Sequence, residues 1–400
     1  MKDLSKEERL LTIIIQIYYF SAGLSGIFLQ IFFFKLGGFS SVFYYNLITF
    51  TLIVLTYIIS GKLLKKYTTK HLINWGLILA LLSWLIILVL GVKAINHLLI
   101  IGIITGIAGG LFWSGFNLSQ YILSHKDRRH QYFGTNNLIN GLVSIASPVI
   151  AGYIILFGQK YLNSLYQGYY LLFSLILILY LIIIFFALQL PSHSGINFSN
   201  KDIFKFHNNS SWRYVLGHQF FTGLFDASVS VIWGLILLSI LITEKDIGVA
   251  RMITNLILAV MSYFAGKQLA KNQQLFKIGV WGNFLGLLIL GLFNTLAGLI
   301  ASIVILGISL PFLQITTSAA IYKGLDEDKS SWQSKYHYLI QRDAALGFAR
   351  VLSFLILFII ARVTKLSNIS SIWLIIISFG PLVVGYLINK QYRYKKSLTN

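Results

Sequence analysis

The sequence predicts an all-α polytopic membrane protein: twelve transmembrane helices in two pseudo-symmetric six-helix bundles, with the N- and C-termini cytoplasmic. Three observations carry this. Apolar runs of about 18 residues or more, each long enough to be a transmembrane candidate, recur along a chain that is 56% hydrophobic and 11% charged, with mean hydropathy +0.76. Lysine and arginine collect on alternate loops. A short basic stretch occurs twice, at residues 61–70 and 266–272, 205 residues or about half a chain apart.

Residues 1–9 are a charged leader. Residues 10–34 are too long for a signal-peptide core and lack a small-residue cleavage site, so they read as the first span. The second span covers about 41–60 and ends at the first basic stretch, expected to be a turn. Spans three and four cover 72–92 and 98–123, and a basic turn follows at 125–130. Spans five and six cover 132–157 and 167–190. The polar stretch 191–211 is the expected cytoplasmic linker between an N-terminal bundle, 1–190, and a C-terminal bundle with a basic tail, 212–400. In the second half the spans are 215–241, 249–265, 278–293, 296–322, 338–363 and 369–388, with a mixed-charge loop at 324–337.

Twelve spans put both termini on one side. Of the 32 lysines and arginines, twenty-four fall on that side and six on the other: Lys35, Lys93, Lys160, Lys245, Arg362 and Lys365. Arg251 and Arg350 lie within spans. This bias places the termini in the cytoplasm. It also accounts for most of the net charge of +20, which therefore reads as a topology signal and a contact surface for anionic lipid head groups, with no nucleic-acid partner. There is no cysteine, which excludes disulfides, cysteine-ligated zinc and thiol nucleophiles. The eight histidines show no metal-ligand spacing, and there is no phosphate-binding lysine loop, so neither a metal, another cofactor nor ATP is expected.

The two halves align. Asn46-Leu47-Ile48-Thr49 lies over Arg251-Met252-Ile253-Thr254 at the offset of the basic stretches. At an offset of 201, Phe20-Ser21 lies over Phe221-Thr222 and Ser25 over Asp226. Phe112 over Phe312 and Asp127 over Asp326 extend the series more weakly. Matches in one order with small gaps indicate a two-fold internal repeat, a plan shared by many secondary transporters.

The stretch Gly-x-Leu-x-x-Lys-Tyr-x-x-Lys at 61–70, echoed at 266–272, resembles the loop between the second and third spans of the major facilitator superfamily. The resemblance covers essentially the whole chain. Gly109-Gly110-Leu111-Phe112-Trp113, then Phe116-Asn117 and Asp127-Arg128, look like the YqgE-like bacterial branch. The resemblance implies two bundles rocking about a central cavity, lined by spans 1, 4, 7 and 10 and gated by 2, 5, 8 and 11. It also implies a cytoplasmic gate turn, here Gly61, Lys65, Lys66, Gly266 and Lys267. The chain departs from the pattern at two positions: the usual latch aspartate is Lys65, and the following glycine is Thr68. The family's charge latch therefore does not carry over.

Mid-membrane charge is where function is expected. Asp226, in the middle of the seventh span, is the one acidic residue well inside a span, and reads as a proton or cation site or as a structural carboxylate. Arg350, at similar depth in the eleventh, could pair with it as a coupling device, bind an anionic substrate group, or simply fix packing. Polar candidates for a substrate cavity are Gln16, Ser21, Ser25, Asn117, Asn136, Asn140, Gln219, Gln314 and Thr316. Helix-to-helix hydrogen bonds would account for about half of such groups. Gly102, Gly106 and Gly110 form a small-residue face for close helix approach. The aromatic content, 15%, does not by itself imply an aromatic pocket, because such residues also form interfacial belts.

The expected function is secondary transport of a small solute across a bacterial plasma membrane by a monomer, coupled to protons or another ion. Export of amphipathic compounds is preferred, because the candidate cavity set is poor in charge and rich in aromatics. The alternatives are a uniporter or importer of sugars or anions, a lipid flippase, and a non-transporting sensor or assembly scaffold on the same fold. An enzyme is disfavoured by the lack of clustered His, Cys or carboxylate groups.

Overall fold

A computed structural model describes residues 4–123, 129–162, 164–193, 210–326, 332–363 and 368–399. Among them there are helices and no strands: α1 Lys6–Lys66, α2 Thr69–Leu90, α3 Leu98–Leu123, α4 Arg129–Tyr161, α5 Leu165–Ala187, α6 Ser210–Leu241, α7 Glu244–Lys271, α8 Phe276–Leu292, α9 Leu296–Asp326, α10 Trp332–Val363, α11 Ile369–Ile377 and α12 Gly380–Thr399. Among the described residues, ten helical segments are long and apolar enough to cross a membrane. The chain forms two compact units: residues 1–196 with 241–253, and residues 197–240 with 254–400. The first ten residues of α7 thus belong to the first unit, inside what the sequence assigned to the second half.

In the first unit, α1 opens with a reciprocal cap. Ser5 N donates to Glu8 Oε2 at 2.8 Å, and Glu8 N to Ser5 Oγ at 3.2 Å. Its 61 residues would span about 90 Å if straight. They are not straight: Gly38 breaks the helix at φ 67° and ψ −167°, a conformation open to glycine because it has no Cβ. The chain then folds back. Asn46 Nδ2 donates to Gln30 Oε1 at 2.8 Å, and the Phe33 and Tyr45 rings lie 4.9 Å apart.

The α3 glycines pack on the second half of α1, in parallel. A Cβ on Gly106 would lie 2.5 Å from Leu52 Cβ and 2.6 Å from the Thr49 carbonyl. One on Gly110 would lie 2.5 Å from Thr56 Cβ, and one on Gly102 would lie 3.0 Å from Ile48 Cγ2. The small-residue face is therefore a helix contact. A 3₁₀ segment, Gly91–His97, turns α2 back along α3, with Gly76 against the Phe112 backbone at one level and Ser83 Oγ 2.7 Å from Thr105 Oγ1 at another.

The second unit holds similar contacts. Antiparallel α8 and α9 approach through Gly279 against Leu313, Gly282 against Ser309 and Gly286 against Leu306. Gly307 of α9 meets Ile257 of α7, where a Cβ would lie 2.6 Å from Ile257 Cγ2. Near the C-terminus, the span expected at 369–388 is broken at Ser378 and Phe379 into α11 and α12. Pro381 lies just past that break and lacks the N–H a continuous helix would use.

The two basic stretches correct the sequence reading. Gly61, Lys65 and Lys66 are the end of α1, and Gly266 and Lys267 lie inside α7; the chain leaves the helix only at Tyr67 and at Asn272. Lysine is a good helix former, and cations in a last turn complement the negative helix end, so each helix runs on past its apolar part. Lys65, Lys66 and Lys267 are exposed, Gly61 is buried, and Lys267 Nζ sits 4.4 Å from the centre of the Tyr263 ring. Of the turn expected at 125–130, residues 125–128 lie outside the described residues, as do Asp127 of the repeat match, most of the linker, positions 327–331 of the mixed-charge loop, and Lys365.

Candidate functional site

The site in the second unit is made by the crossing of α6 and α10. Gly223 lets them touch: a Cβ there would collide with the Leu346 carbonyl and lie 3.0 Å from Ala349 Cβ. Ser353 Oγ then donates to the Leu224 carbonyl at 2.6 Å. Three residues beyond Gly223 comes Asp226, and four beyond Leu346 comes Arg350. The contact thus sets the register of the charges.

Arg350 grips Asp226 with both arms of its fork. Nε donates to Oδ1 at 3.1 Å and Nη2 donates to Oδ2. Asp226 Oδ1 also accepts from the Ala227 N–H at 2.5 Å. The guanidinium fork matches a carboxylate in this two-point geometry. Both side chains remain about one quarter exposed, at 26% and 29%, so the pair borders open space. About two turns before Arg350 on the same helix, Arg342 and Asp343 form a second pair at 2.7 Å. Trp373 Nε1 donates to Ser228 Oγ at 3.1 Å and braces α6 just past the site.

The polar candidates separate into groups. Gln16 Nε2 donates to the Asn136 carbonyl and to Asn136 Oδ1 at 3.0 and 3.1 Å, while Asn136 Nδ2 reaches Thr12 Oγ1 at 3.2 Å. This ties α1 to α4. Asn117 Nδ2 donates to Tyr57 OH at 3.2 Å and ties α3 to α1. Ser21, Ser25 and Thr316 donate back to carbonyls four residues earlier. Gln219 Nε2 lies 3.4 Å from His218 Nδ1. Asn140 is half-buried and Gln314 is exposed. Gln16, Ser21, Ser25, Asn117, Asn136 and Asn140 belong to the first unit, and Gln219, Gln314 and Thr316 to the second.

A further polar cluster had no signal in the sequence. Glu244, the first residue of α7, is buried at 4% exposure in the first unit. It pairs with Lys35 of α1, accepts from Tyr169 OH at 2.8 Å, and accepts from Gln159 Nε2 at 3.3 Å. Backbone packing holds the segment in place: a Cβ on Gly152 would lie 2.7 Å from the Glu244 carbonyl. Lys35 and Glu244 stand 209 residues apart. In sequence each looks like one loop charge among several.

The family model of the major facilitator superfamily matches residues 11–361. The chain belongs to the major facilitator superfamily. As a member, it is a multi-pass membrane protein and a secondary transporter, not an enzyme. It is 24% identical over 399 residues to the protein YqgE of Bacillus subtilis (strain 168), an alignment covering 98% of this chain and 91% of YqgE. Its fold is similar to that of the nucleoside transporter NupG, with TM-score 0.68 and 12% identity, covering 98% of this chain and 100% of NupG. It is equally similar to a D-xylose–proton symporter, with TM-score 0.68 and 14% identity, covering 93% and 96%. At such identities the structures speak for the fold of this transporter, while its own residues must speak for what it carries.

Proposed function

We propose that this major facilitator protein carries a small solute across the bacterial plasma membrane by alternating access, coupled to protons through Asp226 and Arg350. The observation behind this reading is the two-point pair itself, at mid-span and only partly covered. A sealed pair would be packing; a partly open one can exchange its partner for a proton or a substrate group. Protonating Asp226 removes one charge and leaves Arg350 unbalanced at a depth where that is costly. The favoured packing of α6 on α10 then changes. The D-xylose–proton symporter of the same fold is in keeping with this coupling.

The supporting architecture is twelve spans in two related bundles, 1–190 and 212–400. The break at Gly38 and the 3₁₀ segment Gly91–His97 each divide one long segment in two, raising ten candidates to twelve. An even number puts both termini on one side, and the lysine and arginine bias makes it the cytoplasm. The repeat gains support from Gly106 on Leu52 and Gly307 on Ile257: Leu52 and Ile257 correspond at the offset of 205, and Gly106 and Gly307 fall within one residue of the offset that puts Phe112 over Phe312. With Lys65 where the superfamily has its latch aspartate, coupling rests on the mid-span pair and not on the cytoplasmic loop. The preferred direction is export of amphipathic compounds by a monomer whose basic ends meet anionic lipid heads.

The test is flux in proteoliposomes across a solute panel under an imposed pH gradient. Wild type should move a solute in a gradient-dependent way, and Asp226→Asn should uncouple it while still exchanging solute across a closed membrane. Proton-driven flux unchanged by Asp226→Asn would remove Asp226 from the mechanism. A correctly folded protein that moves no solute would favour the scaffold reading.

A further inference from the structure

The first unit holds a partly open cavity of about 200 Å³, lined by α1, α2, α3 and α5. We propose that this cavity binds a small, flat, uncharged aromatic compound carrying one hydrogen-bond donor, of the phenol or indole type. The proposal rests on the cavity alone and does not depend on proton coupling.

The walls are rings. Tyr18, Tyr45, Trp84, Phe112, Trp113 and Tyr180 all face the space. They are held in place by one another: Tyr18 stacks on Phe112 at 4.3 Å and 13°, while Trp113 and Tyr180 stand edge-on to Tyr18 at 5.5 and 6.3 Å. Offset stacking and edge-to-face contact are the two favourable arrangements for another ring entering such a site. Pre-formed walls also spare the ordering cost of binding. Room exists because small residues, Ala80, Ala108 and Gly109, occupy the remaining wall.

The polar groups narrow the ligand. No Lys, Arg, His, Asp or Glu lines the cavity. A charged ligand would lose its hydration without a partner. Besides the hydroxyls of Tyr18, Tyr45 and Tyr180, three aliphatic ones line the space and are already engaged: Ser83 with Thr105 at 2.7 Å, and Ser25 donating to the Ser21 carbonyl at 2.9 Å. A hydroxyl that donates keeps acceptor capacity, so the wall can receive a ligand's donor. With no amide or charged side chain in a wall made mainly of rings and aliphatic groups, it is a poor match for the many hydroxyls of a sugar, each of which would be costly to bury unmatched. Size agrees. An engineered apolar cavity of about 150 Å³ takes up benzene, whereas drug-sized ligands occupy pockets of about 300 Å³ or more.

Equilibrium binding of radiolabelled indole and phenol to the full chain in lipid nanodiscs, without any pH gradient, tests this. Both should bind saturably. Cyclohexanol, which lacks a ring face, hexanol, which mimics a lipid tail, and the charged indole-3-acetate should each compete at least about tenfold more weakly. Ala80→Phe, which fills the space, should weaken indole binding about tenfold or more with the thermal transition retained. Should that variant fail to fold, Ser83→Ala, which removes a hydroxyl without adding volume, should weaken phenol about threefold or more. Non-saturable uptake of indole overturns the proposal, as does competition by hexanol or cyclohexanol equal to that of indole. Indole binding unchanged in a folded Ala80→Phe, or phenol binding unchanged in Ser83→Ala, overturns it too.

Discussion

Arg350 closes on Asp226 with both nitrogens of its fork, joining α10 to α6 across 124 residues of sequence. Each charge stands at a depth that would be unfavourable for it alone. Together they form a neutral, directional contact, braced on one side by Gly223 and on the other by Trp373 and Ser228.

Removing one partner should destabilise more than removing both. Breaking a fully buried pair costs about 3–5 kcal/mol. With a quarter of each side chain exposed, we expect about 1–3 kcal/mol for Asp226→Asn or Arg350→Gln, less than the buried value because solvent screens the remaining charge. The double variant should recover part of that loss, with a coupling of about 1–2 kcal/mol in a thermal-unfolding cycle. Additive single effects would mean that the two side chains do not interact in the membrane-embedded protein.

The register of that pair depends on Gly223. A Gly223→Ala substitution places a methyl group against the Leu346 carbonyl and Ala349, and overpacking of this kind costs about 1–3 kcal/mol. Proton-coupled flux should fall with it, because a methyl group there shifts α6 against α10 and with it the register of Asp226 and Arg350. Gly26→Ala is the matched control: nothing lies within 4 Å of a Cβ placed there, so stability should not fall, and the better helix propensity of alanine should raise it by about 0.5–1 kcal/mol.

Glu244 has three partners, and its loss should be felt by all of them. Glu244→Ala leaves Lys35, Tyr169 and Gln159 without their shared acceptor, and should lower stability by about 2–4 kcal/mol in unfolding measurements. Glu244→Gln keeps the acceptor oxygen and should lose less. Equal losses would show that the charge, and not the hydrogen bonding, holds the start of α7 in the first unit.

Topology can be read directly, since the chain has no cysteine. Lys65→Cys and Lys267→Cys should react with an impermeant thiol reagent from the cytoplasmic face, and Lys93→Cys from the opposite face. All three positions are exposed. Labelling of Lys65→Cys and Lys93→Cys from the same side would refute the proposed orientation.

Class, spans and candidate charges were legible in the sequence because each depends on local composition. A bilayer demands long apolar helices, and the loops between them carry the orientation signal. Gly102, Gly106 and Gly110 could be read as a contact face from spacing alone, and Asp226 and Arg350 stood out because charge is rare inside a span. Helix ends were less legible. The basic stretches at 61–70 and 266–272 look like turns because apolar residues stop there, yet lysine continues a helix readily once water can solvate it.

What the sequence by itself determined was therefore the kind of protein: helical, membrane-spanning and a transporter of the major facilitator type. What only the tertiary structure decided was who meets whom. Arg350 could have bound a substrate group or Asp226, and the Gly223 crossing chose Asp226. Lys35 and Glu244 were loop charges until the start of α7 packed beside Gly152. Sixty aromatic residues were a composition until six of them closed around one space in the first unit. The physical reason is common to all three: spacing along one helix sets which residues share a face, but pairing across a hundred or more residues depends on how the faces dock.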